Sequence, residues 1–142
     1  MENDQDRLTT FFRFEDLRIY HKALEYTDWV YVASTNAGDH PFARFFFERY
    51  IHSASSIALN IAEGSSRNKS QFVYYLKMAK SSVRECMVLS TIAQSRHFLP
   101  KDKFDESKNQ LMEMTKMIGA LIGSLQRSVK PGEPSDDDDE TT

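Results

Sequence analysis

Four prolines and five glycines are the only strong helix breakers in these 142 residues, and their placement constrains the fold more than any other feature. The prolines stand at 41, 100, 131 and 134, the glycines at 38, 64, 119, 123 and 132. No proline interrupts a long periodic segment. The pattern predicts breaks at residues 36–41, 66–70 and 97–101. Between them lie four stretches that suit helices of about 20–28 residues.

The first helix is expected over Asp16 to Thr35, with Asp16 as its N-cap. Leu17, Leu24, Thr27, Tyr31 and Ser34 form its apolar line, widened by Tyr20, Ala23 and Val30. The second is expected over Pro41 to Ser65, with Pro41 in the first turn, where its missing N–H costs nothing. After the turn Ser66 to Ser70, Asn68 followed by Gln71 reads as a capping box for the third helix. That helix carries Phe72, Leu76, Ala79, Val83, Cys86, Ser90 and Ala93 at steps of three and four, and ends near His97, whose ring complements the helix dipole. The fourth starts near Lys101 or Asp102. Its stripe is Phe104, Lys108, Leu111, Thr115, Ile118, Ile122, Leu125 and Val129, broadened by Met114, Met117 and Leu121. Gly119 and Gly123, four apart, offer a close helix approach. Short connections make sequence neighbours antiparallel. The reading is an all-α, left-handed, up-down-up-down antiparallel four-helix bundle over residues 14–130. A flexible N-terminus (1–13) precedes it and a disordered acidic tail (131–142) follows.

Hydrophobic residues make up 40% of the chain and charged residues 27%, which places it among globular proteins rather than disordered or fibrous ones. No apolar run approaches the ~18 residues of a membrane span, and Met1 to Thr10 holds no apolar signal core. A cytoplasmic protein without a membrane partner is the expectation. Cys86 is the single cysteine, so no internal disulfide can form; on a helix it reads as a small core residue. The net charge of −3 hides an asymmetry. Glu133, Asp136, Asp137, Asp138, Asp139 and Glu140 crowd the end. Without these six of the 21 acids, 15 remain against 18 basic residues, and the body carries +3. Like charges in such a tail keep it soluble; a sharper role is to occlude a basic patch by competing with phosphates.

The segment Ser56-Ile57-Ala58-Leu59-Asn60-Ile61-Ala62-Glu63-Gly64-Ser65-Ser66-Arg67 stands out, with Asn60, Glu63 and Arg67 on one helical face beside a seam of small residues. With Phe14-Glu15-Asp16-Leu17 upstream and Phe72, Leu76, Ala79, Ser82 and Glu85 downstream, it resembles the 23S rRNA intervening-sequence family. The resemblance implies a four-helix bundle that assembles as a homopentamer. It extends to a branch that serves as accessory protein of diversity-generating retroelements, where nucleic acid and a reverse transcriptase are the partners. That branch is strongly basic, which this chain is not. Ser81 stands where the family usually has Gly, and His52 where it often has Arg.

Three groups of residues are candidates for a role. Asn60, Glu63 and Arg67 suit a polar network that fixes helix register, with Glu63 and Arg67 spaced for an ion pair. Antiparallel geometry sets residue 50 opposite residue 85, so Arg49 and Glu85 are expected to bridge the second and third helices. Lys69, Lys77, Lys80 and Arg84 share a face of the third helix, with Tyr74 and Tyr75 close by; lysines meet phosphates and bases stack on tyrosine. The aromatic excess of Phe42, Phe45, Phe46, Phe47, Tyr50, Trp29 and Tyr31 exceeds what one thin bundle hides, which points to a subunit interface and a homo-oligomer.

Enzyme signatures are missing from the sequence. It has no Glu-x-x-His pair of the kind that holds two metals in a bundle, no phosphate-binding Gly-rich loop and no Gly-x-Ser-x-Gly elbow. Glu48 and His52 are four apart but make a poor metal site alone. The expectation is a non-enzymatic oligomeric scaffold or binding protein, without cofactor or metal, in contact with RNA, DNA or a nucleic-acid enzyme. The alternative is a protein–protein assembly module with no nucleic-acid affinity; a metal-dependent enzyme comes behind both.

Overall fold

The computed structural model describes residues 11–128. A short 3-10 helix, Arg13–Asp16, leads into four α-helices: α1 Arg18–Thr35, α2 Pro41–Ser65, α3 Lys69–Ser95 and α4 Lys101–Arg127. Each helix packs on the next, and α4 closes against α1. Cross-helix pairs fix the directions. Ser90 meets Ser107 near one end of the α3–α4 pair, and Lys69 meets Ser128 at the other, so the two run antiparallel. Arg49–Glu85 and Ser56–Ser82 do the same for α2 and α3. The fold is the all-α up-down bundle that the breaker pattern predicts.

Local chemistry sets the ends. Pro41 opens α2, and the His40 ring caps it by accepting from the Phe42 N–H at 3.2 Å. Gly38 sits in the preceding loop with φ +82°, a backbone state glycine adopts without a Cβ clash. The Asn68 side chain accepts from Gln71 N–H at 2.9 Å and starts α3. Asp16 does not cap α1: it falls in the 3-10 helix, and Leu17 takes the N-cap position with no side-chain bond. Asp16 falls one residue too early, because half-buried Leu17 holds the extended position before the helix. The expected tail lies outside the described residues, as do residues 1–10, Val129 and Lys130.

The core draws on all four helices. It includes Ile19, Tyr26 and Val30 from α1, Phe47, Tyr50, Ile57 and Ile61 from α2, Leu76, Val83 and Cys86 from α3, and Leu111, Met114 and Ile118 from α4. On α1 this corrects the expected line. Leu24 and Tyr31 are 43% and 53% exposed, and the buried stripe is Ile19, Ala23, Tyr26, Val30 and Ala33. That stripe lies roughly 100° round the helix from the one read off the sequence. On α4, Lys108 is exposed and Ser107 is buried in its place.

Glycine positions divide cleanly. A Cβ on Gly64 would meet Tyr75 Cβ at 2.6 Å and Phe72 Cδ1 at 2.9 Å, so Gly64 lets α2 and α3 close up beside their turn. Gly119 has open space around it, and the nearest group to Gly123 is Arg127 of its own helix. The expected close approach at that pair is not made.

Candidate nucleic-acid interface

Helix α3 carries four cations, Lys69, Lys77, Lys80 and Arg84, against one acid, Glu85. At 100° per residue the four fall within an arc of roughly 80°. Lys69 and Arg84 are exposed, and Lys77 and Lys80 are half-buried, with alkyl stems along the bundle. The arc lies on the side of α3 that faces α4: Lys69 Nζ reaches the Ser128 carbonyl at 3.5 Å. Exposed Lys108 of α4 occupies the facing flank by helical position, whereas exposed Lys116 lies on the solvent side of α4, opposite its buried stripe. Arg84 donates to Ser81 Oγ at 3.4 Å, a weak contact that leaves its guanidinium on the surface. A phosphate backbone laid along this seam meets ammonium and guanidinium groups over about 22 Å, the rise of 15 helical residues.

The two tyrosines take different places. Tyr74 is 53% exposed and borders the basic face, three residues before Lys77 and about 60° round the helix from it. Tyr75 turns towards α2, where it packs over Gly64 and lies 5.4 Å from the Arg67 guanidinium. Of the two, Tyr74 stays exposed at the edge of the basic face, and Tyr75 is taken up by the α2 contact.

The expected polar network separates into independent pieces. Arg49 Nη2 donates to Glu85 Oε1 at 2.8 Å and joins α2 to α3 on the outer surface. Glu63 and Arg67 pair with each other one turn apart. Asn60 joins neither; its Nδ2 donates to the Ser56 carbonyl at 2.9 Å. Ser56 in turn donates to Ser82 Oγ across the helix pair at 2.6 Å. A further polar network ties all four helices together in the core.

It rests on four buried hydroxyls, one from each helix. Tyr26 and Tyr50 approach to 2.6 Å, Tyr50 and Ser90 to 2.6 Å, Ser90 and Ser107 to 2.5 Å, and Ser107 and Tyr26 to 2.8 Å. The ring is closed. Each hydroxyl has one proton, so the four contacts use one each, and the Cys86 carbonyl, 2.8 Å from Ser90 Oγ, competes for the Ser90 proton. Burial raises both tyrosine hydroxyls from their ordinary value, Tyr26 far up, which keeps them neutral. A slip of any helix along its axis strands buried hydroxyls, so the ring selects one register. Ser107 was invisible in the sequence because apolar neighbours define the α4 stripe without it. The usable signal was two tyrosines in stripes of small residues, which leave room for a polar partner.

A second surface lies on the outward side of α2 and α3. Phe42, Phe45 and Leu59 are 71%, 69% and 67% exposed on α2, and Val88 and Ile92 are exposed on α3. A shallow groove lined by Arg49, Ser81, Arg84, Glu85, Val88 and Leu89 connects this apolar side to the basic one. Among the described residues no three His, Cys, Asp or Glu side chains gather as metal ligands, and no helix is long and apolar enough to cross a membrane. Cys86 is fully buried and its thiol is pushed up to about 12, chiefly by desolvation and then by the Glu85 charge. It is a core residue rather than a nucleophile.

Fold and surface together define a class: a small up-down four-helix bundle, registered by buried hydroxyls, with one basic seam and one exposed apolar side. Residues 15–120 match the sequence profile described as 23S rRNA-intervening sequence protein, and the chain belongs to that family. Among curated proteins, no match was found.

Proposed function

We propose that this chain is a non-enzymatic, oligomeric binding protein whose α3–α4 seam contacts the phosphates of RNA or DNA. The observation that carries the reading is the charge pattern of α3. Four cations lie on one arc, and the only acid of the helix is turned away and engaged by Arg49. Such a face suits backbone contact without base readout. Electrostatics is the main contribution, and exposed Tyr74 at the edge of the arc offers one surface on which a base can stack. A nucleic-acid enzyme such as a reverse transcriptase fits as a shared partner on the same nucleic acid.

The test replaces Lys77, Lys80 and Arg84 together with Gln. The variant keeps its helical circular dichroism and binds a fluorescent single-stranded oligonucleotide at least tenfold more weakly, because each lost phosphate contact removes part of the counterion release. Equal affinity of the two proteins would sink the reading.

A specific observation favours the second reading, a protein–protein assembly module. Phe42, Phe45 and Leu59 are too exposed to contribute to the core of one copy, and aromatics are enriched at subunit contacts. The two readings combine in a ring of copies, with five the number the family resemblance implies. Light scattering at micromolar concentration is expected to give a mass several times 16.4 kDa. In a ring the basic seams repeat, and weak contacts add by avidity. If the oligomer forms and no oligonucleotide binds at any salt, the assembly reading stands alone.

A further inference from the structure

The described chain ends beside the start of the basic seam. Helix α4 ends at Arg127, and the Ser128 carbonyl lies 3.5 Å from Lys69 Nζ. Lys69 is the first residue of the cationic arc on α3. The chain therefore leaves the bundle at the start of its own basic track. The residues beyond include Pro131-Gly132, a pair that favours a chain reversal, and then Glu133, Asp136, Asp137, Asp138, Asp139 and Glu140.

Reach and charge agree. Fully extended, the 12 residues from Ser128 to Glu140 span about 40 Å, at roughly 3.3 Å each. The track from Lys69 to Arg84 is about 22 Å long. A segment reversed at Pro131-Gly132 can lay its acids alongside Lys77, Lys80 and Arg84 and still have slack. Attachment a few residues from the track gives an effective concentration in the millimolar range for a flexible linker of this length, so weak individual ion pairs suffice. A carboxylate run offers the same charge and the same acceptor atoms as a phosphate backbone, and competes for the same donors.

We propose that the acidic segment Glu133–Glu140 docks on the Lys69–Arg84 track of its own chain and acts as a built-in competitor for nucleic acid. Its regulatory half rests on the nucleic-acid reading above; the docking itself rests only on geometry and charge.

The experiment uses the full chain and a zero-length carbodiimide, which joins carboxylates to amines in contact. At 50 mM salt, links from residues 133–140 should fall on Lys69, Lys77 and Lys80. They should exceed those to Lys101 and Lys103 at least tenfold, since those lysines sit at the opposite end of α4. Raising salt to 0.5 M should remove them, because exposed charges are then screened. The full-length variant with Asp136, Asp137, Asp138 and Asp139 changed to Asn should lose all but the links from Glu133 and Glu140 and bind a fluorescent single-stranded oligonucleotide roughly tenfold more tightly at low salt. Links spread evenly over all lysines, or found only between chains when isotopically heavy and light protein are mixed, overturn the docking. An unchanged oligonucleotide affinity in the Asn variant, with the links present in the unaltered protein, overturns the competition. If the links are found as expected and no oligonucleotide binds to either protein, the docking stands and the nucleic-acid reading fails.

Discussion

Gly64 sits where the packing leaves no room for a methyl group. The atom in its way is Tyr75 Cβ, which is fixed to the α3 backbone and cannot swing aside. Gly64→Ala is expected to push α2 from α3 and destabilise the bundle by about 1–3 kcal/mol, the usual cost of overpacking; chemical denaturation measures it, and an unchanged midpoint would count against the close approach. The hydroxyl ring makes a similar demand. Tyr50→Phe leaves Tyr26 and Ser90 short of a partner and should cost about 1–3 kcal/mol, the penalty for unsatisfied buried polar groups. Cys86 gives the pH dependence. Its ordinary value is near 9.0 and the folded value is about 12. Stability from this group is full below pH 9 and falls as pH rises towards 12, because the unfolded thiol ionises first. The slope between pH 9.5 and 11 should reach up to about 1.4 kcal/mol per pH unit from this residue. Cys86→Ala should flatten it by that amount in denaturation curves, with the tyrosines retaining the rest.

Helix ends were easier to read than helix faces. The break positions, Pro41 at the start of α2 and the Asn68 cap were legible because each depends on two or three adjacent residues. The face of α1 was not. Leu17, Leu24 and Tyr31 make a plausible stripe, but Ile19, Tyr26 and Ala33 make another, and only contact with α2 and α4 decides between them. The Arg49–Glu85 contact followed from antiparallel counting, whereas the place of Asn60 depended on its reach to Ser56, which spacing does not give. The α3–α4 turn carries a further surprise. His97 has φ +63°, and the Phe98 and Leu99 N–H groups both bond the Ala93 carbonyl. This is the left-handed helix stop that glycine usually makes. Holding a histidine there costs about 1–2 kcal/mol. His97→Gly is therefore expected to raise stability by about 1 kcal/mol after the greater backbone freedom of glycine is discounted, seen as a higher thermal midpoint. A lower midpoint would mean that the imidazole contributes more at the helix end than its backbone strain costs.

At the scale of the whole molecule, a basic seam and an exposed apolar side occupy different surfaces of one bundle. The family assignment fixes the fold and leaves both surfaces to be tested. Family motifs fall mainly on α2 and early α3, where they build the Gly64 approach. The basic arc shares that stretch of α3 but lies on another face of the helix, which is why sequence could propose it but not orient it against α4. The account stands on that arc meeting phosphates, and salt dependence reads phosphate contacts most directly. The decisive measurement is the slope of log affinity against log salt for a single-stranded oligonucleotide, in the unaltered protein and in the variant with Lys77, Lys80 and Arg84 changed to Gln. Each neutralised phosphate contributes a slope of about −0.7 on a single strand, so the variant's slope should be shallower by roughly 2. Parallel lines for the two proteins would contradict the account.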